Sequence, residues 1–207
     1  MNLVELRYKA SNGTDFKVGL IPGMYWGAGV ESCPNKADYN PNIPSEEVFT
    51  TPWRGKAEGT LVASKPLSYQ GELIEDFSIT FKDGKVTEVK ARKGQKLLEQ
   101  MVKMDEGASM LGEVALVPFD SPINNSGILF YNTLFDENAC CHVALGAGFV
   151  ECLPGGHDMT PEQVKEAGVN DSMIHVDFMI GTSDLDIIGI DANGVSHQIF
   201  KDGNWAF

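Results

Sequence analysis

No apolar run in the 207 residues approaches the length of a membrane span, and the opening MNLVELRYKASNGTDFKVGL has no signal-peptide apolar segment. Cations are scarce. Sixteen Lys and Arg face 29 Asp and Glu, for a formal charge of -13. Phosphate binding needs a basic face, so this balance argues against nucleic acid or an anionic membrane as the main partner. No glycine-rich phosphate loop opens a helix, and a nucleotide-binding fold is therefore not expected. The four cysteines (Cys33, Cys140, Cys141 and Cys152) include no CxxC pair. Adjacent Cys140 and Cys141 could bridge only with severe strain, so all four read as free thiols in a reducing compartment, packed as small hydrophobes. Internal repeats and low-complexity tracts are also missing.

The chain does hold many short strand patterns. LVELRYKA and FKVGLI flank a turn-rich SNGTD, which predicts a hairpin. Residues 22–45 are dense in Gly, Pro and Asn and read as a long irregular loop, one expected to be ordered because it embeds Tyr25, Trp26 and Tyr39. From 58 to 92 the pattern is a meander with a turn at Asp83-Gly84. KGQKLLEQMVKMDEG predicts a helix with Leu97, Leu98, Met101 and Val102 on one stripe. TPEQVKEAG predicts a shorter one, capped by Thr160, opened by Pro161 and stopped at Gly168. These elements fit a single α+β domain with a mixed, mainly antiparallel sheet and a few helices.

Ionisable groups recur where apolar residues are expected. In IHVDFMIG, alternation places His175, Asp177 and Met179 on one strand face and Ile174, Val176, Phe178 and Ile180 on the other. NIPSEEVFTTP puts Glu46 and Glu47 where the long loop becomes a strand. LGEVALVP puts Glu113 in an apolar strand, where a carboxylate costs free energy unless paired or bound to metal. FDENACCHVALGAGF carries Asp136, Glu137 and His142, whereas His157 and His197 read as surface residues. Taken singly, a strand-edge glutamate is ordinarily solvated and a core histidine ordinarily hydrogen-bonded. Together, three carboxylates and two imidazoles without a thiolate form a hard donor set. That set suits two divalent ions such as zinc, cobalt or manganese better than a structural zinc.

In their order along the chain, NIPSEEVFTTP, GEVALVP, FDENACCHVALG and HVDFMIG strongly resemble the thermophilic-type metalloaminopeptidases, the family of aminopeptidases T and S. The resemblance implies a cytoplasmic, homodimeric exopeptidase that acts on short peptides with a free N-terminus. Its dinuclear centre would hold zinc or cobalt, with manganese or magnesium as alternatives. Carried over residue by residue, it implies Glu47, Glu113, His142, His175 and Asp177 as metal ligands, with Glu46 as an alternative first ligand. Glu137 or Glu46 would be the carboxylate that moves a proton. It further implies that residues 1–207 form the C-terminal, metal-binding domain, and that the family's N-terminal domain is missing, as in a fragment of a longer protein.

One position departs from the family pattern. Phe149 stands where the family carries a tyrosine, and a phenyl ring cannot donate to an oxyanion. Tyr131 is a candidate substitute. Two other readings stay open: a catalytically impaired metal-binding or dimerisation module, and a non-haem iron oxygenase using His175, Asp177 and His197. The second leaves Glu47 and Glu113 without a role.

Overall fold

Alternating residues at the start of the chain build the expected hairpin. In the computed structural model, which describes residues 1–33, 35–40, 42 and 45–207, β1 (Leu3–Lys9) pairs antiparallel with β2 (Asp15–Leu20). Leu6, Tyr8, Phe16 and Val18 enter the core, while Arg7, Lys9 and Lys17 stay in water. The loop region 22–45 is less irregular than its composition suggests. It contains the two-residue strands β3 (Gly27–Ala28), β4 (Glu31–Ser32) and β5 (Asp38–Tyr39), the last two paired with each other. The Ile43-Pro44 part of the first acidic motif lies outside the described residues.

The meander follows as β6 (Val48–Thr50), β7 (Pro52–Val62), β8 (Leu67–Tyr69), β9 (Glu72–Lys82) and β10 (Lys85–Lys93). Helix α1 (Gln95–Met101) is shorter than the stripe predicts, but it buries Leu98 and Met101 as expected. The rest comprises β11 (Leu111–Leu116), α2 (Pro122–Asn125), α3 (Thr133–Asp136), β12 (His142–Gly146) and α4 (Pro161–Ala167). It closes with β13 (His175–Met179), β14 (Asp186–Asp191), β15 (Ser196–Lys201) and β16 (Asn204–Trp205).

Two large sheets form, and every pairing among the described residues is antiparallel. The larger runs β10-β9-β7-β2-β1-β14-β15-β16, with β8 also on β9; the smaller runs β13-β12-β11-β6-β3. The chain crosses from the small sheet to the large one at Thr51, which is fully buried and donates its hydroxyl to the Gly112 carbonyl at 3.0 Å. One apolar core joins the two sheets. Phe77 of β9 and Phe178 of β13 meet with ring centroids 5.6 Å apart. Burying a side chain of that size contributes roughly 1.5–3 kcal/mol. Packing of this kind covers one face of the small sheet and leaves the other for polar groups.

Helix α4 carries the capping predicted for it. The Thr160 hydroxyl accepts from Gln163 N at 3.3 Å, and the Gln163 side chain accepts from Thr160 N at 2.8 Å. Gly168 ends the helix at φ 99°, where an added Cβ would lie 2.5 Å from the Trp53 ring. Gly168→Ala is therefore expected to destabilise the fold by about 1–3 kcal/mol, read from the urea midpoint. Gly194→Ala, at φ 79° with no heavy atom within 4 Å, should cost less because it carries backbone strain alone.

Candidate metal centre

Donors from four separate stretches of chain reach one face of the small sheet. Glu47 is the last loop residue before β6, Glu113 lies in β11, His142 opens β12, and His175 and Asp177 belong to β13. Strand register assembles them. Glu113 and Asp177 flank Ala144 from either side, and His142 lies between Ala115 and Met179. Side chains alternate across a strand, so His142 and Ala144 point the same way as the two carboxylates, while Val143, Val176 and Phe178 enter the core. The methyl group of Ala144 leaves the space between Glu113 and Asp177 open.

A bulge in β11 sets the orientation of Glu113. Leu111 pairs with Leu145 on the core side, yet Glu113, two residues on, pairs with Ala144 on the site side. The extra residue is Gly112, where a Cβ would sit 2.0 Å from the Ala147 carbonyl oxygen. Without that insertion, alternation would put Leu111 and Glu113 on the same face.

Both imidazoles are anchored through one nitrogen. His142 Nδ1 lies 3.2 Å from the Cys140 carbonyl, and His175 Nδ1 lies 2.7 Å from that of Ala147. A carbonyl only accepts, so Nδ1 donates in both rings and Nε2 faces the carboxylates. His142 Nε2 is 2.9 Å from Glu47 Oε1; His175 Nε2 is 3.2 Å from Glu113 Oε2 and 3.4 Å from Asp177 Oδ1. A neutral imidazole would aim its lone pair at an anion there. The arrangement is favourable only with a second ring proton or with a metal ion between the ring and the carboxylate.

The ionisation of the site shows the same demand for cations. Burial pulls the His142 and His175 imidazoles down, but their carboxylate neighbours outweigh it. His142 ends well above its usual value and His175 is pushed up to about 11. Burial lifts Glu113 to about 7 and Glu137 to about 8, with the Asp177 charge adding to both. Asp177 Oδ1 is buried and accepts no hydrogen bond among the described residues, with His175 Nε2 3.4 Å away.

The donor atoms form two groups, Glu47–Glu113–His142 and Glu113–His175–Asp177, each with its atoms within 4.8 Å of one another. Glu113 belongs to both. Oxygen-rich donors, a buried carboxylate oxygen without a hydrogen bond and Nε2 atoms aimed at anions all fit divalent metal.

Glu47, Glu113, His175 and Asp177 line a cleft of about 730 Å³, joined by Glu137, Phe49 and Phe149, whereas His142, 1% exposed, does not reach its surface. Glu137 accepts from the Asn42 side-chain amide at 3.1 Å. The Phe149 ring lies between Phe49 and His175, with centroids 5.2 and 4.9 Å away. Not every residue singled out in the sequence arrives here. Glu46 is exposed and does not line the cleft, and neither does Tyr131, which is 60% exposed. His197 bonds Asp191 at 3.0 Å on the larger sheet, so it does not complete a triad with His175 and Asp177. Conversely, His157 and Glu151 do line the cleft, although nothing local in PGGHD or FVECL signals it. Their placement depends on the turn after β12.

Residues 1–205 match the model of a family described as thermophilic metalloprotease (M29). The chain belongs to that family. It is 46% identical over 203 residues to aminopeptidase 2 of Geobacillus stearothermophilus, covering 98% of this chain and 49% of that protein. It is 43% identical over 193 residues to aminopeptidase T of Thermus aquaticus, covering 93% and 47%. The chain thus spans about half the length of these curated relatives. Among solved structures, wild-type AmpT from Thermus thermophilus superposes with a TM-score of 0.92 at 41% identity, over 99% of this chain and 50% of that one. A 2,5-dihydroxypyridine dioxygenase from Pseudomonas putida shares the fold alone, with a TM-score of 0.64 at 16% identity, over 99% of this chain and 55% of that one.

The proton balance of this family member's site sets a pH dependence. Glu113 and Glu137 hold protons above their usual value, as do both histidines, so the folded metal-free chain binds more protons than the unfolded one. Its stability should fall as pH rises from about 5 to 11. Asp177 is lowered and acts only below that window. Metal competes with those protons, so the melting-temperature difference between metal-loaded and chelator-treated protein should widen with pH. A constant difference would contradict this balance.

Proposed function

We propose that this chain is the metal-binding, catalytic domain of an aminopeptidase, hydrolysing the first peptide bond of short peptides with a free N-terminus. The observation that carries the reading is the pair of donor groups sharing Glu113. One divalent ion would be held by Glu47, Glu113 and His142, the other by Glu113, His175 and Asp177, with zinc or cobalt preferred and manganese or magnesium as alternatives. Such a pair, when bound, polarises a carbonyl and lowers the pKa of water. The chain's own groups supply the rest. The carbonyls of Cys140 and Ala147 fix the two imidazoles with Nε2 inward. Glu137, held by Asn42 at the cleft, is placed to take a proton from water and return it to the leaving amine. The family resemblance also supports a cytoplasmic homodimer as the working assembly.

Elemental analysis of the purified chain should find about two divalent ions per molecule. Hydrolysis of a leucine anilide should be abolished by chelator and restored by added metal. Asp177→Ala should reduce turnover by at least about a hundred-fold, and undiminished turnover in that variant would sink the assignment. Glu137→Gln should lower kcat by roughly 10²–10⁴-fold while leaving metal content unchanged.

Phe149 favours a second reading, that of a metal-binding module with impaired chemistry, because its ring beside His175 has no donor. Under this reading the chain holds metal but turns over slowly, and Phe149→Tyr raises kcat by roughly 10²–10³-fold. Turnover unchanged by that substitution would remove the case for impairment at this position.

A further inference from the structure

The small sheet ends in a strand that lies inside the metal cleft. One side of β3 pairs with β6, through Gly27 opposite Phe49 and Ala28 opposite Val48, and no strand pairs with its other side among the described residues. Gly27, Ala28, Gly29 and Val30 line the same cleft as the carboxylates of the donor cluster. Register shows which way this edge faces. His142, Ala115, Phe49 and Gly27 are successive partners across β12, β11, β6 and β3, so Gly27 lies on the face that carries the donors. A sheet edge of this kind presents unpaired N–H and C=O groups, a ready template for another strand.

Two glycines keep the edge bare, for different reasons. At Gly27 a Cβ would lie 2.5 Å from the Phe49 ring, so packing within the chain accounts for it. Gly29 has no such reason. Its φ lies outside the left-handed region, and the nearest atom to an added Cβ is the Ser45 carbonyl oxygen at 3.4 Å, an ordinary contact. Neither Gly29 nor Val30 uses its backbone N–H or C=O in a hydrogen bond among the described residues. Glycine at a place that could hold a side chain leaves room for another backbone to approach. Unpaired backbone groups beside a metal donor, with no side chain in front of them, suit one ligand chemistry. That ligand is an extended polypeptide, bound by main-chain hydrogen bonds whatever its side chains.

We propose that β3 takes the substrate as an added strand: the peptide residues after the scissile bond lie extended along residues 27–30 and share backbone hydrogen bonds with them. This assignment deepens the aminopeptidase reading and rests on it for direction, since such a substrate has one residue before the scissile bond and extends only beyond it. Successive residues of an added strand turn their N–H and C=O groups alternately toward and away from the partner, so only every second N–H of the peptide is used.

The test compares Leu-Gly-Gly-Gly with Leu-Gly-Sar-Gly and Leu-Gly-Gly-Sar, in which sarcosine (N-methylglycine) removes one N–H at a time. One methylated peptide should lose about three- to ten-fold in kcat/KM and the other less than about two-fold, because only one of the two N–H groups faces β3. Gly29→Val should raise KM for Leu-Gly-Gly-Gly about five-fold more than KM for a leucine anilide, which has no backbone beyond the bond cleaved. A further measurement needs no turnover and uses the analogue of Leu-Gly-Gly-Gly whose first amide is reduced to CH2–NH. On its addition to the metal-loaded chain, amide hydrogen exchange in residues 27–30 should slow by about ten-fold. Equal losses from both methylated peptides, no loss from either, no selective rise in KM, or unchanged exchange would each overturn the added-strand assignment, and cleavage of the anilide would still stand for hydrolysis. If exchange slows but neither peptide nor anilide is cleaved, β3 stands as a peptide-binding edge and the hydrolase reading fails.

Discussion

The mutual repulsion of four carboxylates, Glu47, Glu113, Glu137 and Asp177, is the constraint around which this molecule is organised. They share one cleft, and Glu113 and Asp177 are almost completely removed from water. Such a cluster is unfavourable in a medium of low polarity unless positive charge lies among the groups. Two imidazoles supply part of that charge, each fixed by a backbone carbonyl so that its other nitrogen must face an acid. Burial raises the proton affinities of Glu113 and Glu137, with neighbouring carboxylate charges adding to it, and at His142 and His175 the carboxylates outweigh burial. Protons relieve the repulsion in the metal-free protein. Divalent ions would relieve it more completely, because each can neutralise several oxygens at once.

The rest of the fold keeps this arrangement in place. The small sheet is polar on one face and apolar on the other, and the apolar face packs on the larger sheet through Phe77 and Phe178. Core packing is dense and intolerant of displacement, so β11, β12 and β13 cannot slide to separate the carboxylates. A one-residue slip of β13 would also send His175 and Asp177 into the core and bring Val176 and Phe178 to the cleft. Electrostatic strain on one face is therefore balanced by hydrophobic packing on the other.

Much of this was legible in the residues. The β1–β2 hairpin, the turn at Asp83-Gly84 and the capped helix α4 are local features, and each formed where turn chemistry and periodicity placed it. The two faces of β13 also follow directly from alternation, because that strand is regular throughout. The bulge at Gly112 was not legible. Simple alternation groups Leu111 with Glu113, whereas the extra residue sends one to the core and the other to the site. His157 was read as a surface residue and is exposed, but its place beside the cleft was not legible for a related reason. Its loop composition describes a surface turn correctly, but whether such a turn borders open solvent or a cleft depends on what packs beside it.

By itself, the sequence determined the donor chemistry: hard oxygen and nitrogen ligands, no thiolate among them, carried on strand segments whose apolar partners had to be buried. These are properties of residue type and local period, and neither needs a third dimension. Tertiary structure alone decided that Glu113 belongs to two donor groups, that Glu46 and His197 belong to none, and that Phe149 lies against His175. Those outcomes depend on the register between strands distant in sequence. Register is set by the packing of the whole core, not by any one segment.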